Sequence, residues 1–250
     1  MNYASPAFQV SGLVKHFQET HAVDQVSFDV AAGEFVAILG RSGAGKTTLF
    51  RCLTGLAQPD AGEICMNRRP LHAIRGRQLR EARREIGLVF QQFNLVRRLT
   101  AIENVLAGRL GYTATWRVLL RRFTAADRQF ALASLDRVGL LAQAYQRADS
   151  LSGGQQQRVA IARVLAQQSR FIIADEPVAS LDPESANSVL TILKSIAQER
   201  KIAVLCSLHQ VDLALTFADR ILGMQHGRLV VDLPVDQFGS AAETKIYQTK

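Results

Sequence analysis

The chain of 250 residues carries a formal net charge of +8 at pH 7, and 48% of its residues are hydrophobic. This composition is typical of a packed globular protein and excludes a disordered, collagen-like or coiled-coil chain. The cysteines, Cys52, Cys65 and Cys206, show no metal-type spacing, so we expect reduced thiols. Neither an apolar run of roughly 18 residues nor a secretory signal pattern occurs, and we therefore expect a chain that is neither membrane-spanning nor exported.

Positive charge is concentrated between Arg68 and Arg128. This stretch contains 14 arginines, no lysine and four acidic residues. A uniformly basic nucleic-acid binder would show a different distribution. The asymmetry indicates a segment that faces an anionic partner or lipid headgroups, or else a solvated basic surface, and both interpretations stay open.

Short apolar runs alternate with helical patterns along the chain. Strands are predicted at residues 8–14, 26–30, 34–39, 86–90, 171–174, 202–206 and 221–224. Helices are predicted at residues 45–56, 183–198 and 211–218 outside a central stretch, and at 101–110, 116–123 and 125–138 within it. The pattern predicts an α/β fold with a mostly parallel sheet and an inserted helical subdomain that starts near Gln91.

A phosphate-binding loop is predicted directly after the strand at 34–39. The candidate residues are Gly40, Arg41, Ser42, Gly43, Ala44, Gly45, Lys46, Thr47 and Thr48, of which the first eight fit G-x-x-x-x-G-K-[ST]. Glycines let backbone N–H groups converge on phosphate oxygens, and the following helix adds its positive end. We expect Lys46 to reach the β- and γ-phosphates and Thr47 to ligate Mg²⁺. An ordinary glycine-rich turn is disfavoured, because a chance match is on the order of one in a hundred.

Two acids, Asp175 and Glu176, end the apolar run at 171–174. Phosphoryl transfer to water needs a metal and a positioned nucleophile. We therefore expect Asp175 to hold Mg²⁺ through its water shell and Glu176 to polarise the attacking water. Two solvated carboxylates at a strand end are the alternative.

Residues 151–158, Leu-Ser-Gly-Gly-Gln-Gln-Gln-Arg, resemble the signature motif of the ATP-binding cassette ATPases. Small residues at a helix start expose backbone N–H groups, and Ser152 adds a hydroxyl. In that family the signature faces the γ-phosphate bound by the opposite subunit. The resemblance implies a head-to-tail dimer of two copies, in which Ser152, Gly153, Gly154 and Gln155 contact nucleotide.

Other positions match the same family. Gln91 matches the glutamine that meets metal and water, Asp182 the loop that crosses the dimer interface, and His209 the switch histidine that touches the γ-phosphate. Phe17 stands where the family has an adenine-stacking aromatic residue, commonly tyrosine, with a buried core phenylalanine as the alternative. The resemblance thus implies Glu176, His209 and Gln91 as catalytic residues, Thr47, Gln91 and Asp175 as metal ligands, and ATP and Mg²⁺ as cofactors.

The resemblance also implies a fold and an organisation. The expected fold is that of the P-loop ABC ATPases, a mostly parallel sheet with N-terminal antiparallel strands and an inserted helical subdomain. We expect a single domain at 1–250, with a nucleotide-binding core at 1–90 and 159–250 and a helical subdomain at 91–158.

Segments 88–100, 108–117, 175–185 and 207–212 look like the ATPase subunit of phosphonate importers. The resemblance implies an ATP-hydrolysing subunit that energises uptake of phosphonate or a related phosphorus oxyanion. Its expected partners are transmembrane permease subunits and, indirectly, a solute-binding protein, with no nucleic acid. It would lie peripherally at the cytoplasmic face of the inner membrane. Arginines for docking or lipid contact would be among Arg97, Arg98, Arg109, Arg117, Arg121 and Arg122.

Three alternatives stay open at this point. The chain is an ABC ATPase of another importer, a soluble ABC ATPase that acts on nucleic acid or ribosomes, or a P-loop kinase that acts on a small molecule. The kinase alternative leaves the motif at 151–158 unexplained.

Overall fold

A computed structural model of the chain describes residues 7–18, 20–67, 69–71, 74–120 and 122–248. The strands are β1 Phe8–Phe17, β2 Thr20–Val30, β3 Phe35–Leu39, β4 Ala61–Met66, β5 Arg69–Pro70, β6 Ile86–Phe90, β7 Phe171–Asp175, β8 Ala203–Ser207, β9 Arg220–Gln225 and β10 Arg228–Pro234. The helices are α1 Lys46–Leu53, α2 Gly76–Arg84, α3 Ala101–Leu106, α4 Thr115–Leu119, α5 Ala125–Arg137, α6 Gly153–Ala166, α7 Pro183–Arg200, α8 Val211–Phe217 and α9 Ser240–Tyr247.

The strands form two sheets. The larger has the order β10-β9-β3-β8-β7-β6, in which β9, β3, β8, β7 and β6 are parallel and β10 pairs antiparallel with β9. The smaller is antiparallel, with the order β2-β1-β4-β5. The predicted mostly parallel sheet and the N-terminal antiparallel strands are therefore confirmed.

The central strand β3 contributes side chains to the hydrophobic cores on both faces of the larger sheet. All five of its residues are buried, as expected for a parallel strand with helices or sheet on both faces. Because side chains alternate along a strand, Ala37 and Leu39 join the core formed with α6 and α7. Val36 and Ile38 join the second core, which includes α1 and both sheets.

Helices α3, α4 and α5 lie between β6 and β7 in the chain, and α3 and α5 pack against each other and against α6. A buried ion pair links them: Arg109 Nε lies 3.0 Å from Asp127 Oδ1, and both side chains are more than 90% buried. Arg109 Nη1 also donates to the carbonyl oxygen of Ala166, at the end of α6. Arg109 is thus an interior arginine, and its expected role at a docking or lipid surface is wrong.

Several predicted boundaries also need correction. The helix expected at 45–56 ends at Leu53, and the one expected at 116–123 is the short α4. Helix α3 ends at Leu106, and a 3₁₀ turn follows it. Strands β4, β5 and β10 and helices α2 and α9 were not predicted. Helix α2 has a single leucine among its nine residues, so its sequence lacks the apolar periodicity that marks a helix.

The sequence analysis also made predictions about the cysteines and the arginines. All three cysteines are free, as expected for reduced thiols. Arg97, Arg98 and Arg122 are exposed, and the Arg117 guanidinium lies over the ring of Trp116. Arg68 and Arg121 lie outside the described residues. Across the ranges that the structure describes, none of the helices has both the length and the apolar character needed to cross a bilayer.

We expect Arg109→Leu to destabilise the fold by about 3–5 kcal/mol, because it leaves the Asp127 carboxylate buried without its partner. The exposed pair Arg147–Asp149 provides the control, and Arg147→Leu is expected to change stability by about 0–1 kcal/mol. Urea denaturation of both variants measures the difference. Equal losses would show that the interior pair does not hold the helices to α6.

Candidate functional site

The predicted site residues follow four adjacent strands of the parallel sheet. The loop at 40–45 follows β3, His209 follows β8, Glu176 follows β7, and Gln91 follows β6. The register places Ile38 beside Ser207 and Phe90 beside Asp175. Because the carboxyl ends of parallel strands share one edge, all four segments meet there, which is where open α/β sheets bind ligands.

The loop at 40–45 is held by contacts from two directions. Gly45 has a φ of 103°, and a Cβ there would lie 2.2 Å from the carbonyl oxygen of Ala22, so only glycine fits. From the turn between β9 and β10, Gly227 donates its N–H to the carbonyl oxygen of Ala44. The loop therefore depends on β2 and on the β9–β10 turn for its shape.

Lys46 is the first residue of α1, directly after this loop, and it is 95% buried. Its Nζ donates to the carbonyl oxygens of Gly40, at 2.6 Å, and Arg41, at 3.2 Å. Burial lowers the pKa of Lys46, while the nearby Glu176 and Asp175 carboxylates act in the opposite direction. The loop backbone thus fixes an ammonium beside two acids.

A cavity of about 520 Å³ opens over the loop, within the usual size range of small-ligand sites. Of the predicted residues it is lined by Ser42, Gly43, Ala44, Gly45, Lys46, Thr47, Thr48 and Glu176. It is also lined by Thr20, His21, Ala22, His226 and Gly227, which the sequence analysis missed. These residues belong to β2 and the β9–β10 turn, and no motif marks them.

Ser207, another residue that the sequence analysis missed, joins the two predicted acids. Its Oγ donates to Asp175 Oδ1 at 2.9 Å and accepts the N–H of Glu176 at 2.8 Å. Glu176 has a φ of 49°, in the left-handed region that residues other than glycine rarely adopt. His209 Nε2 lies 2.6 Å from Glu176 Oε1. The geometry therefore brings Asp175, Glu176 and His209 together.

Asp175 is in an environment that disfavours its charged form. Burial is the largest cause, and it raises the pKa of Asp175 together with the negative charge of Glu176. Hydrogen bonds from the hydroxyls of Ser207 and Thr47, and the charge of Lys46, act against this rise. The effect of Thr47 on Asp175 places two of the three predicted metal ligands, Thr47 and Asp175, close together.

Gln91 and Phe17 are placed near the cavity without lining it. Gln91 follows Phe90, which is in register with Asp175, and its side chain is exposed. The ring of Phe17 is 49% exposed, and the Lys15 ammonium lies 5.5 Å from its centroid. This exposure excludes the alternative that Phe17 is a buried core residue.

The signature residues and Asp182 lie together, and they do not line the cavity of their own chain. Ser152 Oγ accepts the N–H of Gln155, and Asp182 Oδ1 accepts the N–H of Ser185. A Cβ on Gly154 would lie 2.6 Å from Ser185 Oγ, so the start of α6 packs closely on the start of α7. Ser152 and Asp182 are exposed, whereas Gly154 is buried.

Side chains of helix α6 also form hydrogen bonds with the segment that follows Gln91. Arg163 donates to the carbonyl oxygens of Phe93 and Asn94, both of which have positive φ values. Gln157 is fully buried, and its Nε2 lies 3.5 Å from the carbonyl oxygen of Phe90. These side chains were also missed by the sequence analysis, although Gln157 belongs to the quoted motif.

A second cavity, of about 420 Å³, lies among the helices between β6 and β7. Its wall includes Leu99, Ile102, Leu106, Leu110, Val118 and Tyr145. Glu103 and Arg128 also line it, so the wall is mostly apolar and carries one charge of each sign. We call it the helical groove.

Residues 23–179 match the protein family described as ABC transporter. The chain belongs to the ABC transporter family. Among similar ABC transporter proteins, the hypophosphite import ATP-binding protein HtxD of Stutzerimonas stutzeri is 50% identical over 242 residues, which cover 97% of this chain and 71% of that protein. The phosphonates import ATP-binding protein PhnC of Frankia casuarinae is 51% identical over 226 residues, which cover 90% of this chain and 89% of that protein.

Solved ABC transporter structures share the fold. The dimeric structure of the bacterial ABC transporter cassette MJ0796 has a TM-score of 0.80 at 31% identity and covers 92% of this chain and 100% of that one. A dimeric post-hydrolysis state of the same cassette, bound to ADP and Pi, has a TM-score of 0.77 at 32% identity, with the same coverage. The predicted family and the predicted ABC ATPase fold are therefore confirmed.

We expect Asp175→Asn to raise the unfolding midpoint of the nucleotide-free protein at pH 7, because burial raises the pKa of Asp175 and disfavours its charged form. An acid with a raised folded-state pKa destabilises the fold while ionised, and this effect disappears as the pH falls through that pKa. The advantage of the variant should therefore shrink between pH 7 and pH 4. Scanning calorimetry across this range measures it, and a lower midpoint at pH 7 would contradict the direction of the shift.

Proposed function

We propose that the chain is the ATP-hydrolysing subunit of an ABC importer that takes up phosphonate or a related phosphorus oxyanion. The observation that carries the hydrolytic role is the contact between Glu176 and His209 beside the cavity that contains Lys46. The solute class rests on the names of relatives near 50% identity, which import phosphonates or hypophosphite. The subunit itself does not contact the solute.

The phosphate loop binds the triphosphate. Backbone N–H groups of residues 42–48 and the N-terminal end of α1 face the cavity and favour negative charge. Lys46 neutralises the β- and γ-phosphates, and Phe17 stacks on the adenine with its exposed ring. Gly40 and Arg41 shape the loop by accepting the Lys46 ammonium on their carbonyl oxygens.

The oxygen atoms of Thr47, Asp175 and Gln91 fit Mg²⁺, which prefers hard oxygen ligands and is commonly held by one or two carboxylates with substrate phosphates. The effect of the Thr47 hydroxyl on the pKa of Asp175 supports the proximity of two of these ligands. The ion would neutralise charge that develops on the β- and γ-phosphates.

Glu176 is the base that orients and polarises the attacking water. Glu176 lines the cavity, and His209 Nε2 contacts its carboxylate. The same imidazole would also contact the γ-phosphate. Gln91 follows the strand beside β7 and supplies an amide at the same edge. These three residues form the proposed catalytic set.

A second copy of the chain completes each site. The N-terminus of α6, with Ser152, Gly153, Gly154 and Gln155, faces outward and carries backbone donors suited to an anion. Asp182 lies beside it on the same surface. A head-to-tail dimer brings this surface onto the γ-phosphate held by the partner, and the dimeric state of MJ0796 supports this arrangement.

The helical groove is the proposed docking site for a short helix of a transmembrane permease subunit. Its apolar wall fits the apolar face of such a helix, and Glu103 and Arg128 provide charges that fix orientation. This division assigns residues 1–90 and 159–250 to the nucleotide-binding core and 91–158 to the helical subdomain, with the boundary inside α6. Docking to the permease places the subunit peripherally at the cytoplasmic face of the membrane, and the solute-binding protein acts on it indirectly.

We expect Glu176→Gln to reduce ATP turnover by at least about 100-fold, because the amide is not a base. ATP binding should persist, and the stalled protein should form a dimer of twice the 27.5 kDa monomer mass when ATP is added. Size-exclusion chromatography with light scattering, together with a phosphate-release assay, measures both effects. Turnover at the level of the unmodified protein would remove Glu176 from its proposed role.

The matched control is Lys46→Ala in the Glu176→Gln background. Loss of the ammonium should weaken ATP binding, and the ATP-dependent dimer should disappear with it. A dimer that persists in this double variant would show that its formation does not depend on the phosphate loop.

For the helical groove, we expect Leu110→Arg to abolish co-purification with the transmembrane subunits from detergent-solubilised membranes. The change places a charge in the apolar wall, while the side chain is already 45% exposed, so the fold tolerates it. Leu56→Arg, at another exposed leucine that does not line the groove, is the control and should still co-purify. If both variants bind equally well, the permease docks elsewhere.

A further inference from the structure

Ser207 ends β8 and has no exposed surface. Its hydroxyl group can donate one hydrogen bond and can also accept hydrogen bonds, and in this structure it does both. The proton is directed to Asp175 Oδ1, and the oxygen accepts the N–H of Glu176. A single side chain therefore contacts the two acids that the proposed function assigns to metal binding and to catalysis.

The other buried serines of the described residues show how unusual this pattern is. Ser134 donates to the carbonyl oxygen of Phe130, one turn earlier in its own helix, and Ser169 donates to that of Val164. These contacts satisfy local backbone. Ser207 instead reaches two residues of β7 and its C-terminal end that are more than 30 positions away in the chain.

The contact with Glu176 coincides with an unfavourable backbone conformation. Glu176 directly follows β7 and has a φ of 49°, which a residue with a Cβ rarely adopts unless its surroundings hold it there. The Ser207 hydroxyl receives the N–H of that same residue. Two positions later, the segment that follows β8 provides His209, which contacts the Glu176 carboxylate. The end of β8 thus holds Glu176 at both its main chain and its side chain.

We propose that Ser207 is a positioning residue for ATP hydrolysis, which holds Glu176 in its left-handed conformation and orients Asp175 without touching nucleotide itself. This inference rests on the proposed catalytic role of Glu176. The hydrogen bonds of the Ser207 hydroxyl go to Asp175 and Glu176, and among the described residues none reaches the phosphate loop or Phe17. Its loss should therefore change the hydrolysis step and leave the binding of metal-free ATP intact.

The test compares Ser207→Ala with Ser207→Cys and with the control Ser134→Ala. We expect kcat to fall about 10–100-fold in Ser207→Ala, the range seen when a residue that orients a metal ligand is lost. The KM for ATP and the calorimetric affinity for ATP in EDTA should stay within about twofold of the unmodified protein. The gain in ATP affinity on adding Mg²⁺ should shrink, since Asp175 loses its donor. Ser134→Ala should leave all four quantities unchanged.

Ser207→Cys covers the case in which the alanine variant does not fold. A thiol fills the space of the hydroxyl and is only a weak hydrogen-bond donor and acceptor, so kcat should fall in the same direction. A kcat within twofold of the unmodified value in either folded variant overturns the inference. A parallel loss of kcat, of metal-free ATP affinity and of the unfolding midpoint would also overturn it, because that pattern indicates a purely structural serine.

The same series separates this inference from the proposed function. If Glu176→Gln abolishes turnover while Ser207→Ala keeps a kcat within twofold of the unmodified protein, only the positioning role fails. If Glu176→Gln keeps its turnover, the proposed catalytic role fails, whatever Ser207→Ala shows.

Discussion

One ammonium and two carboxylates share a partly desolvated edge of the parallel sheet, and the rest of the fold serves to keep them there. Burial lowers the pKa of Lys46 and raises that of Asp175, so each group is less stable in its charged form than it would be in water. Their mutual attraction and the loop carbonyl oxygens compensate in part. A site of this kind is poised for a ligand that brings its own charges, because phosphate and a cation replace the missing solvent.

Sequence motifs predicted this edge well because each of its chemical groups lies in a contiguous stretch at a strand end. The loop at 40–47, the acids at 175–176 and His209 all lie at this edge of the sheet. Ser207 could not be predicted, because its role arises from the register between β7 and β8, which composition does not encode. The same holds for Gly227 and the β9–β10 turn, which support the phosphate loop from a distant part of the chain. Helix α2 was missed for a different reason: its basic sequence has no apolar period.

Features of a single chain explain why a dimer is proposed. The first backbone N–H groups of α6 have no partner within the helix itself, and Gly154 packs closely on α7, yet this turn does not line the cavity that its own chain forms. The phosphate loop, by contrast, lines that cavity. One chain thus has two incomplete halves of a site, the cavity over the phosphate loop and the N-terminus of α6. Each half is completed when two copies associate head to tail.

Helix α6 then becomes the element through which the nucleotide site and the helical groove influence each other. Its first turn forms the proposed dimer surface, its middle holds the segment after Gln91 through Arg163 and Gln157, and its last residue accepts the interior Arg109. A helix packed on both sides moves as a rigid body, since a dense core resists local deformation. Any shift of Gln91 toward a bound γ-phosphate is therefore transmitted to the helices that form the groove. Phe93 and Asn94 both hold positive φ values, which residues with a Cβ rarely adopt, and Arg163 of α6 holds them there by donating to their carbonyl oxygens.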